Sequence, residues 1–409
     1  MAPPLSRRFQ DAWARLGLGH ALGPEQLAVA VSGGVDSTAL MHLLVEAGHR
    51  PTVVTFDHGL RPESAAECRF VEAQALALGL PCVQQALGVT PGPGVAARAR
   101  AARVEAMQAL PQPRIALAHH RDDQAETVLD RLMRGSGAGG LGAMRPVQGR
   151  FVRPLLPFTR AELRAWVEAR GLRWVEDPSN TKGTRGALRH RVLPELEAIR
   201  ENAGAGLARS ARLLAMDDAL LNALAARLLA PDGVVREAWA AAPEPLQRRA
   251  VLSLVREARG HAGLTAAQID AVLALREVGA RVNLPGGWWV ALDPDRLRCL
   301  PPRPRPQTLR EGRWGLWRID ADRPLAVRPP APGERLEGRP LAESLRASGV
   351  PGSLRPYHPV VEVGALRWVP GVSTRPPHPG GADARGIRVR CERVPGPSVP
   401  AGGPYVATL

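Results

Sequence analysis

Residues Leu27 to Leu44 read LAVAVSGGVDSTALMHLL. Five apolar residues run into Ser-Gly-Gly, then an Asp-Ser pair, then apolar positions at helical spacing. This pattern predicts a buried strand, a glycine turn and the start of a helix. Glycine lets backbone amides approach an anion, and the helix N-terminus adds partial positive charge, so the junction has the makings of a phosphate cradle. The Walker form of such a cradle needs a lysine near the end of the turn, and none stands here, which excludes a kinase-type P-loop. A plain tight turn with Asp36 as helix cap is the simpler alternative.

The pattern repeats outward from this stretch. LAVAV (27–31), TVVTF (52–56), PCVQQAL (81–87) and RIALAHH (114–120) predict short strands, apolar as parallel strands covered on both faces are. DSTALMHLLVEAG, SAAECRFVEAQALALG and VAARARAARVEAMQAL lie between them and are long enough for crossover helices. The expected fold class is therefore α/β, a doubly wound parallel sheet over 1–200. Beyond about residue 205, Leu213, Leu214, Leu220, Leu221, Leu224 and Leu228 recur at helical steps, and Thr265 with Gln268 forms a capping-box signal for a helix within 264–279. A helical domain is expected over 201–300. PPRPRPQT (301–308) is a linker candidate. A small α+β module is expected over 309–375, with strands in PLAVR, HPVVEV and ALRWVPGV, and a poorly ordered Pro/Gly-rich tail over 376–409.

Composition narrows the partners. The 409 residues are 45% apolar and 23% charged, a globular balance, and carry a formal net charge of +15. Of the 54 basic residues only Lys182 is a lysine, so the excess is arginine, whose planar fork suits phosphate and stacked bases. Such a chain favours a polyanionic partner. Cys68, Cys82, Cys299 and Cys391 form no CxxC pair, which argues against a disulfide framework or a thiolate metal site. The first residues lack a sustained apolar run, and no stretch of about 18 apolar residues occurs. A soluble cytoplasmic protein with no membrane association is expected.

A second constellation lies at 116–144, ALAHHRDDQAETVLDRLMRGSGAGGLGAM. His119, His120, Asp122 and Asp123 fall at the C-terminal end of a strand, where open α/β sheets bind ligands. Asp123 and Glu126 are three apart on the next helix. By residue type alone they could be a capping pair, and the histidines with the aspartates could suggest a metal site, although adjacent residues at a strand end point to opposite sides.

SGGVDS, AHHRDDQAETVLDRLMRGSGAGGLGAM and EDPSN (176–180) together resemble the tRNA(Ile)-lysidine synthetase family of the PP-loop, N-type ATP pyrophosphatases, the match being strong over the first half of the chain. LPGGWWV, LAVRPPAPGERL and SLRPYHPVVEVGALRWVPGV extend it more weakly. The resemblance implies a PP-loop, Rossmann-like catalytic domain followed by tRNA-binding domains. It also implies ATP-dependent ligation of L-lysine to C2 of the wobble cytidine of a tRNA(Ile) with anticodon CAU. The cytidine oxygen attacks the α-phosphate, diphosphate leaves, and the lysine amine displaces AMP.

In that reading Ser32, Gly33, Gly34, Val35, Asp36 and Ser37 bind ATP, with Asp36 facing Mg²⁺ directly or through water. Asp123 and Glu126 hold the lysine, and His119 contacts the cytidine or assists proton transfer. Arg100, Arg103, Arg131, Arg134, Arg185 and Arg189 are candidates for ATP or tRNA phosphate contacts, a solvated basic face being the bland alternative. The basic segment after EDPSN departs from the family pattern: it is about two residues shorter, and Gly186 stands for a customary asparagine. In the earlier helical segment VAARARAARVEAM, Ala96 and Val104 replace a customary Glu and Tyr. Asp177, Pro178 and Asn180 could form only a turn. Trp288 and Trp289 could stack on bases or sit in a core. Three rivals are an adenylating tRNA thiolase, which the lack of a cysteine pair disfavours, an amidating ligase of small molecules, which would explain neither the arginine excess nor AHHRDDQAET, and a basic tRNA-binding protein with an inactive loop. The oligomeric state is left open, a homodimer being one expectation.

Overall fold

The computed structural model describes residues 3–60, 63–90, 92–176, 183–336, 338–363, 366–372, 388–394 and 405–408. Asp177, Pro178, Asn180 and Lys182 lie outside them. The chain divides into two compact units, Met1–Asp218 and Ala219–Leu409.

The first unit starts with α1 (Leu5–Ala14), followed by β1 (Leu27–Ala30), α2 (Val35–Glu46), β2 (Thr52–Asp57), α3 (Ser64–Ala77), β3 (Cys82–Ala86), α4 (Val95–Ala109) and β4 (Arg114–Ala116). Next come α5 (Arg121–Met133), a short α6 (Ala138–Leu141), β5 (Val147–Gln148), β6 (Phe151–Val152) and α7 (Arg160–Ala169). The sheet order is β3-β2-β1-β4-β6-β5, parallel except for the β5–β6 pair. This is the doubly wound α/β sheet that the alternating pattern predicts.

Strand alternation splits the core into two layers. Leu27 and Val29 face α1, α2, α3 and α7, packing with Phe9, Leu40, Leu44, Val71, Leu163 and Val167. Ala28 faces the other side with Val54, Ile115 and Met107 of α4. Because β2 and β3 run to one side of β1 while β4 and β6 run to the other, the order reverses between β1 and β4. The crevice beyond the C-terminal ends of those two strands is the ligand position such sheets provide. Both sequence constellations open onto it.

After α7 the chain forms α8 (Gly183–Ala187), a π-helical turn (Leu188–Val192), α9 (Leu193–Ile199) and α10 (Ala203–Ala226). On α10, Leu214, Leu221 and Leu224 are half-buried, whereas Leu213 and Leu220 are 49% and 63% exposed. The leucine repeat marks the helix, but it does not mark one buried stripe.

In the second unit, Glu244–Arg259 and Ala266–Leu273 are helices, the latter capped by Thr265 with Gln268 in the expected box. They share a core with an antiparallel sheet built from 229–230, 233–235, 281–283, 289–292 and 296–300, which adds strands to the expected helical region. The strands are two to five residues long, and the PGG turn at 285–287 breaks their periodicity. A second antiparallel sheet contains Gln307–Trp314, Trp317–Arg328, Val360–Val363 and Leu366–Trp368, as PLAVR, HPVVEV and ALRWVPGV predict. The tail expectation is corrected in two stretches: Arg388–Arg393 pairs with Trp317–Ala321 and buries Cys391 completely, and Tyr405–Thr408 pairs with Arg388–Cys391. Alternation of apolar Val389 and Cys391 with charged neighbours is the strand signal that the surrounding Pro and Gly residues obscure. Trp289 belongs to the core, its indole N–H donating to the Tyr357 hydroxyl at 2.7 Å, and Trp288 packs half-buried on the neighbouring cluster.

Candidate functional site

The glycine turn follows β1 directly. Gly33 has φ +82°, a left-handed conformation that costs other residues about 1–2 kcal/mol. Its carbonyl accepts the Val175 amide at 2.8 Å, which fastens the loop to the segment leading into Glu176. Gly34 is the N-cap of α2, with extended backbone and no side-chain cap. A Cβ there would meet only Ser32 Oγ, at 3.6 Å, so the space over Gly34 is open to a ligand, whereas Gly33 is required for its φ. The Ser37 hydroxyl donates to the Gly34 carbonyl at 3.0 Å and accepts the Ser32 amide at 3.2 Å, closing the turn from within. The first amides of α2 lack helical partners, as at any helix start, and here no side chain takes them.

Asp36 is not the cap of this helix. Its Oδ2 lies 3.6 Å from His120 Nε2 and 3.9 Å from Arg160 Nε, and its Oδ1 is buried with no hydrogen-bond partner among the described residues. A buried carboxylate oxygen left over beside a phosphate cradle fits Mg²⁺, which binds through one or two carboxylates and completes its shell with phosphate oxygens and water. Among the described residues no group of three His, Cys, Asp or Glu is arranged to hold a metal by itself.

The second constellation begins at the end of β4, and His120 caps α5. Its Nδ1 accepts the Asp123 amide at 3.4 Å while Asp123 Oδ2 accepts the His120 amide at 3.0 Å, a reciprocal capping box. The Nε2 edge faces Asp123 Oδ2 at 3.3 Å and Asp36 Oδ2 at 3.6 Å. Burial pushes the His120 pKa down, but Asp36, Asp123 and Asp122 outweigh burial and hold it above the ordinary value. His120 therefore ties the phosphate loop to α5, a role the sequence reading did not assign. The signal was present: a hydrogen-bonding residue stands three positions before Asp123, although the usual box starts with Ser or Thr.

His119 points elsewhere. Its Nδ1 is buried and has no partner among the described residues, and its pKa is lowered to about 4 by burial and by Arg153, Arg103 and Arg185, against the pull of Asp123. Protonation then occurs only in acid, so the imidazole is neutral at physiological pH. A group of that basicity is poorly matched to removing a proton from an ammonium ion but well suited to a hydrogen bond with a neutral base edge. The expected result is that wild type and His119→Gln give pH–rate profiles of the same shape between about pH 6 and pH 8, whatever change in overall rate the substitution brings. An ionisation in that window that disappears with His119 would contradict this.

Asp123 and Glu126 come together on α5 as their spacing predicts, and they share one partner. Arg189 Nε donates to Glu126 Oε1 at 2.6 Å, and its Nη2 donates to Glu126 Oε2 and Asp123 Oδ1, both at 3.1 Å. Glu126 is completely buried, and burial raises its pKa despite Arg189. Glu126 borders a cavity of about 290 Å³ whose wall also includes Arg189, His120, Asp122, Arg160 and Glu197.

The arginine candidates separate. Desolvation lowers the pKa values of Arg100 and Arg103, and the neighbouring Arg185 lowers both further; among the described residues none of the three has a carboxylate partner. Arg153, buried, with its Nε unpartnered, joins this group and was missed from sequence because it stands in a short strand connection without a basic run. Arg131 instead ties its guanidinium to the Gly140 and Ala143 carbonyls at 2.5 and 3.3 Å, and Arg134 pairs with Asp130 on the surface. His190 lines the cavity. Among the described residues the cysteines form no disulfide, and burial raises Cys68 and pushes Cys82 to about 11, so neither of these two is a ready nucleophile.

The PP-loop domain family matches residues 2–196. A tRNA(Ile)-lysidine synthase of Thermus thermophilus is 38% identical over 378 residues, covering 87% of this chain and 70% of the relative. A tRNA(Ile)-lysidine synthase of Azoarcus sp. is 36% identical over 397 residues, covering 86% and 88%. Among solved structures, a U34-tRNA thiolase from Methanococcus maripaludis matches with 17% identity and a TM-score of 0.42 over 51% of this chain and 78% of that one.

Proposed function

Because the chain belongs to the tRNA(Ile)-lysidine synthase family, we propose that it ligates L-lysine to C2 of the wobble cytidine of tRNA(Ile) with anticodon CAU, using ATP. Codon reading then changes from AUG to AUA. The supporting observation is the continuous run of contacts from Asp36 through His120 to Asp123 and on to Glu126, which joins a phosphate cradle to a carboxylate pair in one crevice.

In the first step the cytidine O2 attacks the α-phosphorus and the bond to the β-phosphate oxygen breaks. Diphosphate leaves into the cradle of Ser32, Gly33, Gly34, Val35 and Ser37. Mg²⁺ held at Asp36 would screen the charge on that leaving group. Arg100, Arg103 and Arg185, cations without carboxylate partners among the described residues, suit the phosphates of ATP or of the tRNA backbone. His119 presents a neutral imidazole to the cytidine.

In the second step the lysine ε-amine forms the bond to C2, and AMP departs with the former O2. The ammonium must first lose a proton. Glu126, whose carboxyl is raised by burial, is the better acceptor of the two groups, with Asp123 orienting the amine. The thiolase alternative lacks a nucleophilic thiol here, since Cys68 and Cys82 are pushed away from the thiolate form. The catalytic domain is assigned to 1–200, and 201–300 and 309–375 are read as tRNA-binding.

The test is incorporation of labelled lysine into tRNA(Ile) bearing CAU, with ATP and Mg²⁺, against the same tRNA with uridine at the wobble position. Incorporation that requires both ATP and the wobble cytidine supports the reading. ATP cleavage without lysine transfer would overturn its second half.

A further inference from the structure

The Arg189 guanidinium rests on the two carboxylates assigned above to the lysine ammonium, and makes the contacts an incoming ammonium would need. Both oxygens of Glu126 and one of Asp123 are taken. Glu126 is fully buried, so an ionised carboxylate there requires a cation beside it. Two cations cannot share this pair without strong repulsion in a poorly solvated site. Lysine can therefore enter only if Arg189 leaves.

Three observations describe a residue able to leave. Arg189 comes from the turn Leu188–Val192, coiled as a π-helix, a rare geometry found mostly at functional sites. Its side chain is 21% exposed on the cavity wall, while Glu126 beneath it is 0% exposed. It also lies within electrostatic reach of Asp36, and so of polyphosphate in the neighbouring cradle. A guanidinium binds phosphate at least as well as carboxylate, through the same planar fork.

Resting on the reading of Asp123 and Glu126 as the lysine site, we propose that Arg189 is a competitive latch. It fills the ammonium subsite of the free protein until a phosphate anion, from ATP or from the tRNA backbone, draws it away, so that lysine binds last. The amine then cannot occupy its site before the electrophile can form.

Lysine binding to the full chain, measured by calorimetry, tests this. Wild type, Arg189→Gln, Arg189→Lys and Glu126→Gln are compared alone, with a non-hydrolysable ATP analogue and Mg²⁺, and with a tRNA carrying uridine at the wobble position. Without anions Arg189→Gln should bind lysine about 10-fold or more tighter than wild type. Arg189→Lys, which keeps a cation, should stay within a few-fold of wild type. Wild type should approach the glutamine variant once the effective anion is added, and the arm that does so identifies its source. Equal or weaker lysine binding by Arg189→Gln would overturn the latch, and if that variant fails to fold, unchanged wild-type affinity in both anion arms would do the same. Loss of lysine binding in Glu126→Gln beside either result leaves the lysine site standing without the latch. Undiminished binding by Glu126→Gln with anion present would overturn the lysine site and the latch together.

Discussion

Asp36→Ala is expected to lower tRNA-dependent diphosphate release by about 10³-fold while leaving tRNA affinity within a few-fold of wild type. Asp36 Oδ1 is buried with no hydrogen-bond partner among the described residues, while Oδ2 faces His120 and Arg160. On the proposed reading, removing the carboxylate would delete the anchor for Mg²⁺, which would offset charge on the departing diphosphate. It also leaves the Nε2 edge of buried His120 with Asp123 as its remaining close partner. Asp36→Asn, which keeps the shape, separates these effects: if charge is what matters, it should be nearly as defective as alanine. The RNA contacts are assigned elsewhere, to arginines and to the second unit, so binding and its salt dependence should persist. Normal ATP turnover in Asp36→Ala would mean that the cradle is not where ATP is cleaved, and would revive a basic RNA-binding protein with an inactive loop.

Glu126→Gln should produce the complementary defect. Adenylation is expected to survive, because among the described residues Glu126 is hydrogen-bonded and ion-paired to Arg189 rather than to the loop from Ser32 to Ser37, whereas lysine transfer should fall by about 10²–10⁴-fold. Glutamine keeps the volume of the buried side chain and can still accept a bond from Arg189, so the fold should tolerate it. It cannot take a proton from the ammonium or balance its charge. The sign of the pKa shift bears on pH: a carboxyl raised by burial takes up protons at higher pH than an exposed one, so lysine transfer should fall off on the acid side earlier than an ordinary glutamate would dictate. Single-turnover assays that follow diphosphate and lysylated tRNA separately would check this. Equal loss of both products would place Glu126 in the first step.

The parts of the fold legible in sequence are those where one local signal matches one physical demand. A fully buried strand reads as an apolar run, and Gly33 is needed because its φ is positive, so β1, the turn and α2 could be read from 18 letters. The spacing of Asp123 and Glu126 places them together because a helix repeats every 3.6 residues. Their partner Arg189 stands 63 residues beyond Glu126, and no periodicity links the two. Sequence reading assigned Arg189 to phosphate, since an isolated arginine in a basic run gives no sign of the carboxylates that tertiary structure brings to it.

His119 and His120 are adjacent yet differ in environment, one lowered to about 4 among arginines and the other raised among aspartates. Only strand-end geometry separates them. The sheet at 229–300 was not legible because its strands are too short to show alternation before glycine and proline turn the chain.

The most direct measurement uses tRNA(Ile) whose wobble cytidine carries ¹⁸O at O2, incubated with the protein, ATP, Mg²⁺ and lysine. Attack by that oxygen on the α-phosphate, followed by amine displacement, predicts that the label leaves the tRNA and appears in the AMP phosphate. Label retained in lysylated tRNA, or AMP whose new oxygen comes from water, would contradict the account.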